Sequence, residues 1–488
     1  MLQKIAKECL AGFTVAIVAL PLAIAFGIAA TGTAEGALVG LYGAIFGGFF
    51  AALFGGTSGQ VTGPTGPITV IATGIIAEYG LEASFLAFMM AGVFQIVFGI
   101  CKLGSYVRYI PYSVVSGFMN GIALIIILGE MKQVKNSFLL VLLTIIVMLL
   151  SGRWMKAIPA SLVALVTVTA ALPLIAPLIQ GLTIQLPFIG TLSLNSVIEK
   201  IGKIPEAIPS IQIPAFSDIS VVELLLPALS IALLGSIDSL LTSVVMDNVT
   251  GTRHKSNKEL IGQGLGNMVS GLFGGLAGAG ATVRSIVNVR SGGKTALSAC
   301  IHSVILLIFV VGLGAVVQYI PLAVLSGILI LTGIGMFDWD AMKKVHVTPK
   351  GDVLVMILTM VITVYFDLMI AVAVGILLSF ILYIATCKKR EVSIKEDDNH
   401  TYIISGPLSF LSVDRIFSSI QQTESPITLQ LEGVNYMDTS GAMALLNFAE
   451  QAERKGTSVK VVCMQPHVEK VLIKLANEEQ QEKLAVGA

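Results

Sequence analysis

Long apolar runs broken by short polar stretches fill the first 390 residues. The runs lie near 11–30, 36–54, 84–101, 111–129, 137–151 and 160–179, then near 222–246, 295–315, 320–337, 351–366 and 368–386. Most approach the roughly 20 apolar residues that cross ~30 Å of hydrocarbon. Gly-rich stretches at 55–78 and 259–293 interrupt them, and both are too apolar and too closely flanked by spans to be ordinary loops. Placing one short helix in the first stretch and two in the second predicts fourteen segments. From about 391 the pattern changes. Short strands (EVSIKE, TYIISG, ITLQLEG, SVKVVCM) alternate with helical stretches (VDRIFSSIQQ, GAMALLNFAEQAERKG, HVEKVLIKLANEEQQEKL), which predicts a small α/β layer domain. The expected organisation is therefore a membrane domain over 1–390 and a soluble domain over 391–488.

Composition sharpens this picture. Hydrophobic residues make up 55% of the 488 residues and charged ones only 12%, against roughly 25% in soluble proteins. Residues 391–488 carry 22 of the 60 charged side chains. Zero net charge gives no nucleic-acid surface. Five scattered cysteines (Cys9, Cys101, Cys300, Cys387, Cys463) offer neither a CxxC pair nor a disulfide framework. The N-terminal run continues apolar to about residue 30 without an A-x-A cleavage site, so it reads as the first membrane helix, not a removable signal. Lys4/Lys7, Lys102/Arg108, Arg153/Lys156, Arg253/Lys255/Lys258, Lys343/Lys344 and Lys388/Lys389/Arg390 all fall on the side of the N-terminus. By the positive-inside rule both termini are expected in the cytoplasm of a cell whose cytoplasmic membrane holds the protein, with Lys132/Lys135 and Lys200/Lys203 as exceptions.

The chain also repeats itself. ALFGG at 52–56 is echoed by GLFGG at 271–275, and YIPYSVVSG at 109–117 by YIPLAVLSG at 319–327. Two echoes in the same order imply a duplicated seven-span unit, and an odd span number makes the copies inverted, as in many secondary transporters. Each LFGG is followed by an irregular segment, TSGQVTGPTGPITV (57–70) and LAGAGATVRSIVNV (276–289). Paired broken helices at membrane depth mark a binding site. Helices restarting near Thr65 and Thr282 would bring two positive N-termini together and favour an anion.

Charged residues inside the apolar body complete the candidate chemistry. Arg284, in the first turn of the second broken helix, offers an oxyanion a permanent positive charge and a bidentate fork; the plainer accounts are an ion pair with Asp238 or a snorkelling side chain. Arg290 is expected to be a surface anchor. Asp238 and Thr242 lie one helical turn apart on the same face, and carboxylate, hydroxyl and carbonyl oxygens together suit a hard cation such as Na⁺. Proton carriage, or neutralisation of Arg284, are the other readings of Asp238. Asp247 and Asp367 sit near span ends, where solvation explains them. His302, at the start of a span, reads as packing or as a proton relay.

These residues resemble a known family. LFGGTSGQVTGPTGPITV, GSIDSLLTSVVMDNVTGTRHKSNKELIGQGLGN and GATVRSIVNVRSGGKTALSA look like the SulP (sulfate permease) anion transporters, and the C-terminal stretch looks like their STAS domain. Within that family the likeness is closest to the sodium-dependent bicarbonate transporters of cyanobacteria. The resemblance implies a seven-plus-seven inverted topology, a core domain moving against a gate domain, and homodimers held partly by STAS. It assigns Asp238, Thr242, Gly280, Ala281 and Thr282 to a Na⁺ site. It places the anion against Thr65 and the backbone N–H groups of Ala281 and Thr282. Two departures leave the substrate open. Pro21-Leu22 stands where sulfate-type members have Pro-Gln, whereas Arg284 matches the wider family and not the bicarbonate type. In the tail, DTSG at Asp438–Gly441 opens a helix. The resemblance makes Ser440 a candidate regulatory phosphorylation site, and the plainer account is that Thr439 and Ser440 cap the helix.

The expected function is thus a secondary active importer of a small inorganic oxyanion, with Na⁺ as coupling ion and bicarbonate as substrate. The alternatives are a sulfate or other anion permease, proton-coupled or passive, and an anion-sensing membrane regulator signalling through Ser440. No metal-ligand spacing, nucleophile motif or nucleotide fingerprint argues for an enzyme. Nucleobase permeases share the broken-helix plan, but a neutral ring would leave Arg284 without purpose.

Overall fold

The computed structural model describes residues 2–154, 159–179, 183–186, 190–193, 199–201, 209–211, 221–366, 368–387, 392–397, 400–420, 426–454, 457–462 and 465–476. Compactness divides the chain into two units, Met1–Ser105 with Ala123–Gly335, and Tyr106–Ile122 with Met336–Ala488. The division falls well before residue 390, because the last membrane helices group with the α/β tail.

In the first unit α1 (Leu2–Thr31) is followed by α2 (Gly36–Tyr42) and α3 (Gly48–Phe54), joined through a π-helical turn at Gly43–Gly47. A two-residue strand β1 (Thr62–Gly63) leads into the short α4 (Gly66–Tyr79), then α5 (Leu81–Ile100). Helix α6 (Tyr112–Gly129) contributes its first half to the second unit and its last turns to the first. Helices α7 (Met131–Asn136), α8 (Phe138–Trp154) and α9 (Ala160–Ile179) precede an antiparallel pair β2 (Thr183–Leu186) and β3 (Gly190–Ser193) that hydropathy did not announce. Then come α10 (Val221–Thr250), α11 (Ser256–Leu272), the strand β4 (Ala279–Gly280), α12 (Thr282–Arg290), α13 (Ala296–Val317) and α14 (Leu322–Met336). Five described helices are long and apolar enough to cross a membrane by length and composition, and six shorter ones of 10–17 residues are apolar too.

Glycine draws α5 and α11 together. A Cβ on Gly92 would meet the Gly264 carbonyl, one on Gly99 the Asn257 carbonyl, and one on Gly271 the Phe85 carbonyl. These contacts run in opposite chain directions, so the helices are antiparallel, with small residues seven apart on each. Lipid gives apolar side chains little reason to leave it, so close backbone approach through small residues supplies the packing between membrane helices. In this way α11 forms a wall behind the two broken segments.

The second unit adds α15 (Trp339–Lys343), α16 (Lys350–Tyr365) and α17 (Leu368–Thr386) to the α/β tail. The tail carries a four-stranded sheet in the order β5 (Ser393–Asp397), β6 (Thr401–Leu408), β7 (Ile427–Met437), β8 (Val459–Val462). The first pair is antiparallel and the other two parallel. Helices α18 (Val413–Ser419), α19 (Thr439–Arg454) and α20 (Pro466–Leu475) complete it. Alternating positions of β7 (Ile427, Leu429, Leu431) are buried with Ile404, Leu445 and Leu472 in one core, as period-two strands require. All four expected strands and all three expected helices are present.

Candidate functional site

The two irregular segments meet. Thr62 pairs with Gly280 and Gly63 with Ala279 in an antiparallel bridge, and immediately afterwards each chain turns into a helix, α4 after Thr65 and α12 after Ala281. Both junction residues have extended backbone, and neither helix start carries a side-chain cap. The first-turn N–H groups that an α-helix cannot satisfy internally are therefore left for another acceptor. Helices restart where the sequence placed them.

One expected donor is committed elsewhere. The Ala281 N–H donates to the Val61 carbonyl (2.8 Å), because the bridge continues one residue past β4. An anion reaching this helix start would meet Thr282 and the residues after it, not the Ala281 amide.

Around the junction the oxygens converge. Thr242, on α10, donates to the Gly280 carbonyl (2.9 Å) and shares a hydrogen bond with the Thr282 hydroxyl (2.7 Å). Asp238 lies one turn back, half-buried, with Oδ2 wholly buried and unpartnered. The Thr65 hydroxyl stands beside that carboxylate without reaching hydrogen-bond geometry, and its Oγ1 is likewise buried and unpartnered. Arg284 is 2% exposed. Its Nη2 donates to the Pro64 carbonyl, and its Nη1 is buried without a partner. It is within electrostatic reach of Asp238, yet its hydrogen bond goes to a carbonyl, so it neither snorkels nor forms a simple ion pair. Glycine at 63 lets the guanidinium come close, since a Cβ there would sit 2.5 Å from Arg284 Nη1 and push it aside.

His302 departs from its expected place. Helix α13 starts at Ala296, so this histidine lies well inside it, fully buried, with Nε2 unpartnered and Arg284 within electrostatic reach. Thr65 Oγ1, Asp238 Oδ2, Arg284 Nη1 and His302 Nε2 are thus buried polar atoms without partners around one junction. Native proteins rarely leave such groups unsatisfied, and a site that binds a polar ligand is one place where they do. Arg290 ends α12 exposed, as expected of a surface anchor. Asp247 is not simply solvated: His254 Nδ1 lies 2.6 Å from it, and His254 Nε2 lies 3.0 Å from the Ser256 hydroxyl. Asp367 falls outside the described residues.

A second layer of polar side chains holds the segments. Ser239 accepts from the Gly280 N–H (3.0 Å), Ser285 accepts from the Val61 N–H (2.9 Å), and Asn288 donates to the Gly59 carbonyl (2.9 Å). Asn267 accepts from the Gly278 N–H (2.7 Å) and donates to Gln95 (2.8 Å). Glu259, 2% exposed, binds Gly56, Gln60 and Gln263. Sequence reading passed over all of these. Their only signal was an amide or carboxylate in an apolar or Gly-rich context, which says that a partner exists but not which one.

The helix opened by the DTSG motif of the tail is not capped by Thr439 or Ser440. Asp438 caps α19 by accepting from the Gly441 N–H (2.7 Å) and also accepts from the Phe410 N–H (3.1 Å). Thr439 does not cap: its N–H (2.7 Å) and its hydroxyl both donate to Asp352 on α16. The Ser440 hydroxyl accepts from the Tyr112 N–H (2.9 Å) at the start of α6. The Tyr112 hydroxyl in turn donates to Asp338 (2.7 Å), which caps α15. The helix start that suggested a phosphate is engaged with the neighbouring helices of its own unit.

Within a body of apolar helices, two broken members bring their N-termini and Arg284 beside the Asp238 carboxylate of α10, a site suited to a small anion and to a membrane transporter that carries one. The sulfate permease family profile matches residues 5–359 and the STAS domain profile matches 391–482. The bicarbonate transporter BicA of Synechocystis sp. is 37% identical over 94% of this chain and 88% of its own. Sulfate transporter 4.1, chloroplastic, of Arabidopsis thaliana is 27% identical over 76% of this chain and 57% of its own. The transmembrane domain of a cyanobacterial bicarbonate transporter BicA superimposes with a TM-score of 0.68 at 38% identity, covering 76% of this chain and 98% of that one. The chain belongs to the sulfate permease family of anion transporters and carries a STAS domain.

Proposed function

We propose that the protein imports bicarbonate together with Na⁺ across the cytoplasmic membrane, with both termini in the cytoplasm. The observation that carries this reading is the set of unpartnered buried atoms at the junction of α4 and α12. The cation-facing oxygens divide from the anion-facing donors. Asp238, Thr242, the Gly280 carbonyl and Thr282 offer oxygen to a hard cation, whereas the α12 N-terminus, Thr65 and Arg284 offer positive potential and donors to an oxyanion. A cation bound beside the anion offsets its charge, so each raises the other's affinity, and that linkage is what couples their movement. The bicarbonate-transporting relatives favour this substrate. Sulfate is the second reading, because Arg284 adds a full positive charge that suits a divalent anion.

The order and lengths of the helices support an inverted repeat. Two 30-residue helices, α1 and α10, each begin a series in which a short broken helix (α4, α12) follows the next span. A homodimer held through the STAS domains remains the proposed assembly, and phosphorylation of Ser440 a proposed control.

The test is uptake of labelled bicarbonate and sulfate into proteoliposomes, with and without an inward Na⁺ gradient, for the parent and for Asp238→Ala. Bicarbonate uptake that needs Na⁺ and is lost in the variant supports the symport. Sulfate entry indifferent to Na⁺ replaces it with a permease whose selectivity rests on Arg284.

A further inference from the structure

Glu259 is a buried carboxylate in the first turns of α11, and among the described residues no basic side chain pairs with it. Its charge is held by neutral donors alone. Oε2 accepts from the Gly56 N–H (2.8 Å), and Oε1 accepts from Gln60 (2.9 Å) and Gln263 (2.8 Å). Gln263 also donates to the Thr62 hydroxyl at the bridge (2.7 Å). Burying an unpaired charge is costly. A neutral glutamine or a leucine could fill a purely packing role at less cost.

The chain of contacts leads from this carboxylate to the proposed cation oxygens. Gln60 is fixed at both ends, because its amide nitrogen donates to Glu259 while its carbonyl oxygen accepts from Ser243 (3.0 Å). Ser243 follows Thr242 on α10 and also lies 2.7 Å from the Thr57 hydroxyl. The Gln60 amide packs so closely on Gly280 that a Cβ there would collide with its nitrogen. The Gly280 carbonyl is the one that Thr242 binds.

We propose that Glu259 is a positioning residue for the cation: through Gln60 it holds Gly280 against Thr242, so that a monovalent hard cation finds its oxygens already arranged. The inference rests on the Na⁺ reading given above. Because carboxylate oxygens only accept, Glu259 forces Gln60 to turn its nitrogen inward and its oxygen toward Ser243. Glutamine at 259 has one acceptor oxygen where three donors converge, so either Gly56 or the two amides lose their partner.

The measurement is Na⁺-dependent bicarbonate uptake by the full chain in proteoliposomes, comparing the parent with Glu259→Gln and Ser243→Ala. Half-saturating Na⁺ should rise about tenfold in Glu259→Gln, as expected for hydrogen bonds to a charged group, and by less in Ser243→Ala. Half-saturating bicarbonate, measured at saturating Na⁺, should stay within about twofold of the parent. Ser243→Ala leaves the carboxylate in place and removes the partner of the Gln60 oxygen together with the contacts to Thr57 and the Ser239 carbonyl, so it reports even if Glu259→Gln does not fold. An unchanged Na⁺ requirement in the variants, or an equal rise in both constants, overturns the positioning role. If parent uptake ignores Na⁺, the symport reading itself falls, an outcome that the parent alone reveals.

Discussion

At Ala281–Thr282 in the first unit and at Asp438–Thr439 in the second, a strand gives way to a helix through one linking residue. In the STAS domain the polar groups of that junction have partners: Asp438 takes the Gly441 and Phe410 amides, Thr439 gives both donors to Asp352, and Ser440 accepts from Tyr112. At the broken helices the backbone is just as well anchored, by Ser239, Ser285 and Val61. Yet Thr65, Asp238, Arg284 and His302 keep buried atoms without partners. The same local motif is closed off as a structural joint in one place and held open in the other. What separates a ligand site from a cap is the balance of donors and acceptors around the helix start, not the helix start itself.

The strongest way to break the comparison is at Asp238. Removing a carboxylate from a buried set of charges costs about 3–5 kcal/mol, so Asp238→Ala should lower Na⁺-driven uptake by at least about 100-fold in proteoliposomes. Next comes Arg284→Met. Losing a charge-assisted contact of about 1.5–3 kcal/mol should raise the half-saturating anion concentration roughly 10–100-fold, and the rise should be larger for sulfate than for bicarbonate in a side-by-side assay.

The closed junction should answer to pH. Burial first, and then the charge of Asp352, push the Asp438 carboxyl up to about 8, whereas the unfolded group titrates near ~3.9. A folded value above the unfolded one means that stability is fully present below the unfolded pKa and is lost as pH rises through the folded one. Thermal unfolding of the full chain in detergent should therefore show the tail weakening from about pH 4 to about pH 8. Asp438→Asn should flatten that slope. The smallest effect is expected from Ser440→Ala, which removes one acceptor from the Tyr112 amide and should cost about 1 kcal/mol; proteolysis of the tail in the intact protein would report it. A loss of transport as deep as that of Asp238→Ala would place the closed junction in the transport machinery and end the contrast.

Much of this architecture was legible from the chain. In the membrane body hydropathy located the spans, because a run of apolar residues has few alternatives to a helix when no water is present to satisfy the backbone. The repeated LFGG, and the Gly/Pro/Thr stretches after it, located both broken helices and hence Thr65, Thr282 and Arg284, while a carboxylate inside an apolar run drew attention to Asp238 and, one turn on, Thr242. Misreadings arose where the partner was distant in sequence. His302 reads as a span-start residue, yet α13 begins at Ala296, where the apolar run also begins, and the histidine lies well inside the helix. Ala281 was given a free amide because nothing local reveals that Val61 would claim it. Thr439 and Ser440 were read as caps, since a cap is the nearest use for a hydroxyl at a helix start, whereas Asp438 caps and Asp352 and Tyr112 lie far along the chain.

The sequence by itself determined the class of protein, the long apolar helices, the α/β tail and the residue types available for an anion and a cation. These follow from local periodicity, composition and self-similarity, which act over a few residues at a time. Only the tertiary structure decided which hydrogen bonds are spent and which remain. The bridge between β1 and β4, the Glu259–Gln60–Ser243 chain and the docking of α19 each join residues roughly 90 to more than 300 positions apart. Pairings over such distances are set by which helices pack together, and packing is a property of the folded whole.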